Sequence, residues 1–241
     1  MLQVIQEKEH FRKDHGWLDT YHHFSFAEYF NPEKVNYGPL RVFNDDIVQP
    51  GSGFGFHPHK DMEIVTYVID GELEHKDNFG NHGIISAGGV QRMSAGTGVI
   101  HSEYNHSKEK PLRLLQLWFL TKKKDLKPSW EERQFTKQDR LNRLLPVVSD
   151  DDSDDKVPLK IHQDSKIYIS SLTQDTKLDY ELKSGRQTYT FVISGRLDLN
   201  GRELKDRDAA MIDNANKLSF KAAEPTELIL IDLPVEFSFN Q

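Results

Sequence analysis

Nothing in the sequence constrains the fold more than its succession of short apolar stretches, each closed off by a glycine or asparagine turn. Ile64–Ile69 (IVTYVI), Leu112–Leu120 (LRLLQLWFL), Lys166–Leu172 (KIYISSL), Thr188–Ile193 (TYTFVI) and Glu227–Leu233 (ELILIDL) are rich in β-branched and aromatic residues. Asp70-Gly71, Asn78-Phe79-Gly80-Asn81, Ser194-Gly195 and Asn200-Gly201 punctuate them. Many short strands spaced by such turns predict an all-β sandwich or barrel. Helical periodicity is scarce. It is confined to Ser129–Leu145, where Ser129 can cap and Trp130, Phe135 and Leu141 are spaced apolar residues, so a short helix is expected there.

The stretch Thr66–Leu73 (TYVIDGEL) is repeated in Thr190–Leu197 (TFVISGRL) at a shift of 124 residues, about half of the 241-residue chain. Each copy reads as an apolar strand, a tight glycine turn and a return strand. Two readings follow: two barrels in tandem, or two hairpins alike by chance. The acidic run Ser149–Asp155 (SDDDSDD) falls near the start of the second half and reads as a solvated loop, because such a run repels itself.

Composition excludes several functions. With a net charge of −7 and basic residues scattered apart from Lys122-Lys123-Lys124, the chain lacks the clustered positive footprint of a nucleic-acid binder. The absence of cysteine excludes disulfides and thiolate metal sites and accords with a reducing cytosol. The N-terminal MLQVIQEKEHFRKDHGW is charged throughout, and no apolar run approaches the roughly 20 residues of a membrane helix. A soluble cytoplasmic protein is expected, and a monomer, since a two-barrel chain can cover its own barrel faces.

His57-Pro58-His59 poses the functional question. Residues i and i+2 of a strand point to one face, so both imidazoles converge if this stretch is a strand. That pair is either half of a metal clamp or a polar pair facing water. His101 and Glu103 repeat the spacing, after glycines that permit a sharp turn into the strand. Two such pairs on neighbouring strands would supply three nitrogens and one carboxylate oxygen. Such a set suits iron, zinc, copper, nickel or manganese and leaves positions open for water or substrate.

The spacing Gly51, His57, His59, Glu63, Gly71 resembles the first cupin motif, and Gly98, His101, Asn105 resembles the second. More narrowly, HPHKDMEIVTYVIDGELEHKDNFGN followed by AGTGVIHSEYN is similar to the pirin family, bicupins that include bacterial quercetin 2,3-dioxygenases. Tyr21–Asp46 resembles that family's N-terminal segment. The resemblance is close over residues 20–120 and looser beyond. It implies two tandem cupin (jelly-roll-like) β-barrels, here with the short helix near their junction: a metal-binding cupin domain over 1–140 and a cupin-like domain without a metal site over 141–241. It also implies that His57, His59, His101 and Glu103 bind one divalent metal, iron(II) before zinc, copper, nickel, manganese or cobalt.

Ordinary cupins take their glutamate from the first motif, at Glu63 here. Pirin-like proteins take it from the second, at Glu103, which leaves Glu63 behind the ligands or at the surface. The activity implied is a dioxygenase that opens the heterocyclic ring of flavonols such as quercetin with release of carbon monoxide, Glu103 accepting the flavonol hydroxyl proton. Two alternatives stand beside it: a metal-bound regulator that contacts protein partners, and an oxygenase with another native substrate. Phe54, Phe56, Met93 and Trp118 are candidate pocket walls or plain core. One of His22 and His23 reaches the site entrance or both are packed, and His75, His82 and His106, beside turn signals, are expected to be exposed. The 124-residue shift puts Glu181 and Lys183 where His57 and His59 stand, and the stretch matching His101 falls near Leu218–Lys221, so the second half has no imidazoles for a site. It is expected to serve as a packing and gating partner.

Overall fold

A computed structural model describes residues 1–150 and 159–237, and within them the alternation of the sequence becomes strand almost throughout. The acidic run Ser149–Asp155 lies, from 151 onward, outside the described residues. The strands of the first half are β1 (Leu2–Ile5), β2 (Phe11–Asp14), β3 (Leu18–His22), β4 (Leu40–Val48), β5 (Gly53–His59), β6 (Met62–Asp70), β7 (Glu72–Asp77), β8 (His82–Ser86), β9 (Gly89–Ser94), β10 (Val99–Asn105), β11 (Leu112–Leu120) and β12 (Ser129–Gln134). Those of the second are β13 (Leu145–Ser149), β14 (Leu159–Lys160), β15 (Lys166–Leu172), β16 (Lys177–Glu181), β17 (Arg186–Ser194), β18 (Leu197–Leu199), β19 (Arg202–Leu204), β20 (Ala209–Ile212), β21 (Lys217–Ala222) and β22 (Thr226–Pro234).

These strands form two units. One comprises Phe11–Phe135 with Leu159–Gln163; the other is built on Met1–His10, Asp164–Phe237 and the segment that starts at Thr136. In the first, a large sheet runs β12-β9-β6-β11-β4-β3-β2 and a smaller one β5-β10-β7-β8. Leu18, Val48, Val68, Leu112 and Leu114 from the large sheet meet Leu73 and Ile85 from the small one in a buried cluster. Each such aliphatic side chain contributes roughly 1.5–3 kcal/mol on burial. A second cluster of Ile64, Met93, Ala95 and Val99, flanked by Trp118 and Trp130, is buried in the same unit.

The other unit repeats the plan, with a small sheet β16-β21-β18-β19 and a large sheet running β1-β20-β17-β22-β15-β13. The chain's first strand therefore belongs to this unit's sheet, Leu2–Ile5 pairing with Ile212–Ala209. The repeated turn glycines confirm that the two hairpins are structural equivalents. Gly71 (φ 86°) and Gly195 (φ 95°) both adopt a left-handed conformation. A Cβ at Gly71 would lie 2.7 Å from the Pro111 carbonyl oxygen, and one at Gly195 2.3 Å from that of Pro225.

One expectation is overturned. Ser129–Leu145 forms no helix, and the only helix among the described residues is the single 3-10 turn Glu7–Glu9. Ser129–Gln134 instead pairs antiparallel with the edge of β9, and Trp130 packs inward. Trp130, Phe135 and Leu141 are spaced five and six residues apart, off the three- and four-residue spacing of a helical face, whereas an open sheet edge offers backbone groups a partner. Thr136 and Asp139 then close a turn through reciprocal hydrogen bonds, and Leu145 already opens β13. No helix among the described residues is long and apolar enough to cross a membrane.

Candidate metal centre

The small sheet of the first unit brings the two motifs side by side. β5 is its edge strand, which is why Pro58 is tolerated between the histidines: its missing N–H falls where a ladder bond is not required. β10 pairs with it so that His101 stands opposite His57 and Val99 opposite His59. The imidazole centroids lie 4.4 Å (His57–His101), 4.8 Å (His57–His59) and 4.9 Å (His59–His101) apart. One ring nitrogen from each falls within 4.8 Å of the others, the spacing of a cation-binding group.

Protonation suits such a role. His57 Nδ1 lies 2.7 Å from the Gly55 carbonyl oxygen, to which it donates, so its Nε2 carries the lone pair. Burial, and then the neighbouring imidazoles, push His59 and His101 down to about 3, so both rings are neutral at ordinary pH. His101 is 1% exposed, and its Nε2 has no hydrogen-bond partner among the described residues. An orphaned, deprotonated nitrogen facing two further imidazoles fits a divalent transition metal.

Glu103 is fixed from both sides. Gln91 Nε2 donates to its Oε1 (2.6 Å) and Gln116 Nε2 to its Oε2 (2.7 Å). Thr66 Oγ donates to Gln116 Oε1 (2.8 Å), and Trp130 Nε1 to Gln91 Oε1 (3.1 Å), so the donors are themselves held. The pairing of β10 with β5 shifts by one residue between His101 and Glu103, the extra residue lying in β5, so Glu103 stands opposite Phe54. Glu103 falls within 4.8 Å of His101 in a second group whose third member is His75, not in the group of His57 and His59.

His75 is the residue that sequence reasoning missed. Expected to be exposed, it is 1% exposed, stacked on Trp130 (centroids 5.0 Å apart, planes at 12°) with Nδ1 3.5 Å from His101 Nδ1. The signal was present: Leu73, His75 and Asp77 share one face of β7 ahead of the turn. His82 and His106 are exposed, both facing Glu74. Glu63 lies on the opposite face of β6 from Thr66; it is buried, accepts a hydrogen bond from Ser94 (2.7 Å), and burial raises its pKa to about 7.

Among the candidate walls, Trp118 sits edge-on to His59 (4.7 Å, 84°), Phe54 lies 6.4 Å from His57, and Met93 packs in the cluster beside Trp118. Phe56 does not contribute. It alternates with His57 and points outward, 66% exposed. His22 and His23 are packed, the first bonded to Asn44 (2.9 Å) and the second against Phe43. His59 also lines an open recess of about 470 Å³ with Lys60, Asn78, Thr97 and Ile100.

Residues 4–119 match the Pirin family, and residues 146–233 match the quercetinase C-terminal cupin domain. A quercetin 2,3-dioxygenase of Escherichia coli K12 is 39% identical over 234 residues, covering 97% of this chain and 99% of its own. A pirin-like protein of Caulobacter vibrioides is 42% identical over 219 residues, covering 91% and 94%. The crystal structure of the bacterial pirin YhhW of Escherichia coli in complex with nickel(II) superposes with a TM-score of 0.91 at 38% identity, covering 97% of this chain and 99% of that one. With two cupin domains, a family match across both, and a histidine and glutamate cluster suited to a metal ion in the first, this chain belongs to the pirin family.

Proposed function

We propose that this chain is a metal-dependent dioxygenase that opens the heterocyclic ring of flavonols such as quercetin, consuming one O2 for each carbon monoxide released. The observation that carries the proposal is the pairing of convergent imidazoles with a carboxylate clamped beside them inside a barrel. His57, His59, His101 and Glu103 are the residues proposed to hold the ion, with iron(II) as the resident species. A divalent ion held there supplies a Lewis-acidic anchor for a chelating hydroxyl–ketone edge.

The chain's own groups supply the rest. Glu103 accepts the flavonol hydroxyl proton; each carboxylate oxygen holds one amide donor, and Oε1 also has the Thr66 hydroxyl at 3.4 Å, so Oε2 is the oxygen with a lone pair to spare. Gln91 and Gln116 keep that carboxylate from rotating, so its orientation precedes substrate binding. Trp118, Phe54 and Met93 offer apolar surface that keeps water from the reacting edge. A second reading, a metal-bound regulator acting through protein partners, is favoured by the apolar side chains exposed on the outer face of the small sheet: Phe56, Ile84, Ile100 and Tyr104.

Iron-loaded protein mixed with quercetin in air tests the proposal. Loss of the flavonol absorption band with equal O2 uptake and carbon monoxide release is expected, and Glu103→Gln is expected to slow it at least 100-fold. Unchanged flavonol with fully loaded protein would move the weight to the regulator or to another substrate.

A further inference from the structure

We propose that His75 is a positioning residue of this centre: it accepts a hydrogen bond from His101 Nδ1–H and is itself held by Asp77, so that His101 presents its Nε2 lone pair to the cation. This rests on His101 being a ligand. A ligand imidazole must leave one nitrogen bare, so the proton sits on the other nitrogen, and a buried N–H needs an acceptor. For His57 that acceptor is the Gly55 carbonyl. For His101 the group facing Nδ1 is His75 Nδ1, at 3.5 Å.

One tautomer assignment satisfies all three groups. If His101 Nδ1 donates, His75 Nδ1 is bare and its proton is on Nε2. That atom has no hydrogen-bond partner among the described residues and faces Asp77 Oδ2 at 3.7 Å. Asp77 is anchored: Oδ1 accepts the backbone N–H groups of Phe79 and Asn81 (both 2.9 Å), and Oδ2 accepts Asn81 Nδ2 (2.7 Å). The His75 ring is held by its stack on Trp130, and the side chains of His75 and Asp77 are each 2% exposed. Both separations exceed the roughly 3 Å of a formed bond, so the relay requires these side chains to approach by some tenths of an ångström when His101 takes its cation.

The test uses nickel(II) and cobalt(II) with the full chain, His75→Phe and His75→Asn, the asparagine oxygen standing near the position of Nδ1. Competition with a chromophoric chelator gives nickel affinity and stoichiometry. Proton NMR of the cobalt-loaded protein reads the exchangeable N–H signals of the ligand imidazoles. Expected are one ion per chain, a 10–100-fold loss of affinity in His75→Phe with one N–H signal passing into fast solvent exchange, and recovery to within a few-fold in His75→Asn. His75→Phe that binds nickel as the parent does, with every N–H signal retained, would overturn the relay. So would His75→Asn that folds as the parent does yet binds as weakly as His75→Phe, or two ions per chain, which would make His75 a ligand with Glu103. Nickel uptake by His101→Ala equal to the parent's would remove the premise itself, a failure distinct from any seen at position 75.

Discussion

The two barrels are built alike and filled differently. In the first, His101 and His57 face each other across β10 and β5; in the second, Leu218 is paired across β21 and β16 with Tyr180, one residue before the Glu181 that the 124-residue shift sets at His57. Leu178, Leu218 and Phe220 join one apolar cluster, and both groups that can hold a metal ion among the described residues lie in the first unit. The second barrel pairs its buried charges. Arg186 donates to Asp232 (2.6 Å) and Asp164 (2.7 Å), and Tyr180 donates to Asp232. One backbone plan thus carries, in one copy, desolvated imidazoles crowded together and, in the other, an apolar cluster beside a paired arginine. The crowding is unfavourable without a ligand, and a fold retains such an arrangement where chemistry requires it.

Asp232→Ala is the largest way to break that contrast. It leaves a mostly buried guanidinium short of one partner and is expected to destabilise the second barrel by about 3–5 kcal/mol. Urea unfolding of the metal-free chain checks this, and metal uptake by the folded protein stays unchanged. Gly71→Ala and Gly195→Ala probe the shared plan: each forces an alanine into a left-handed turn against a carbonyl, at roughly 1–3 kcal/mol. Gly195→Ala is expected to be the more damaging, because its Cβ would meet its carbonyl at 2.3 Å rather than 2.7 Å.

His101→Leu gives the first barrel the residue type of the second. It is expected to stabilise the metal-free protein by about 1–3 kcal/mol, the penalty of an unsatisfied buried polar group. The pH profile carries a smaller signature. Because His59 and His101 are held near 3, the folded metal-free chain binds fewer protons than the unfolded one between pH 6.5 and 3, and these groups remove stability as pH falls through that window. Burial raises Asp46 and Glu63 to about 7, which has the opposite sign: their contribution is present at low pH and is lost as pH rises toward and through 7. Unfolding midpoints between pH 7 and 3 should fall less steeply in His101→Leu than in the parent.

Much of this was legible in the sequence, for reasons that lie in particular residues. The β-branched and aromatic stretches Ile64–Ile69 and Thr188–Ile193, closed by Gly71 and Gly195, required strands and tight turns, and the repeat followed from them. His-x-His and His-x-Glu were readable because a strand sends i and i+2 to one side. Long-range pairing was not readable. Nothing in Leu2–Ile5 says that its partner is Ala209–Ile212, and nothing in Ser129–Gln134 says that β9 has an open edge. His75 is hard to place from sequence because the neighbouring turn Asn78–Asn81 signals exposure, while its own strand parity points inward.

The central claim is that the first barrel alone carries the metal, and metal content per chain tests it most directly. Elemental analysis after loading with nickel(II) and desalting is predicted to give one ion in the parent, one in Asp232→Ala that remains folded, and none in His101→Leu. One ion retained in His101→Leu would contradict the account.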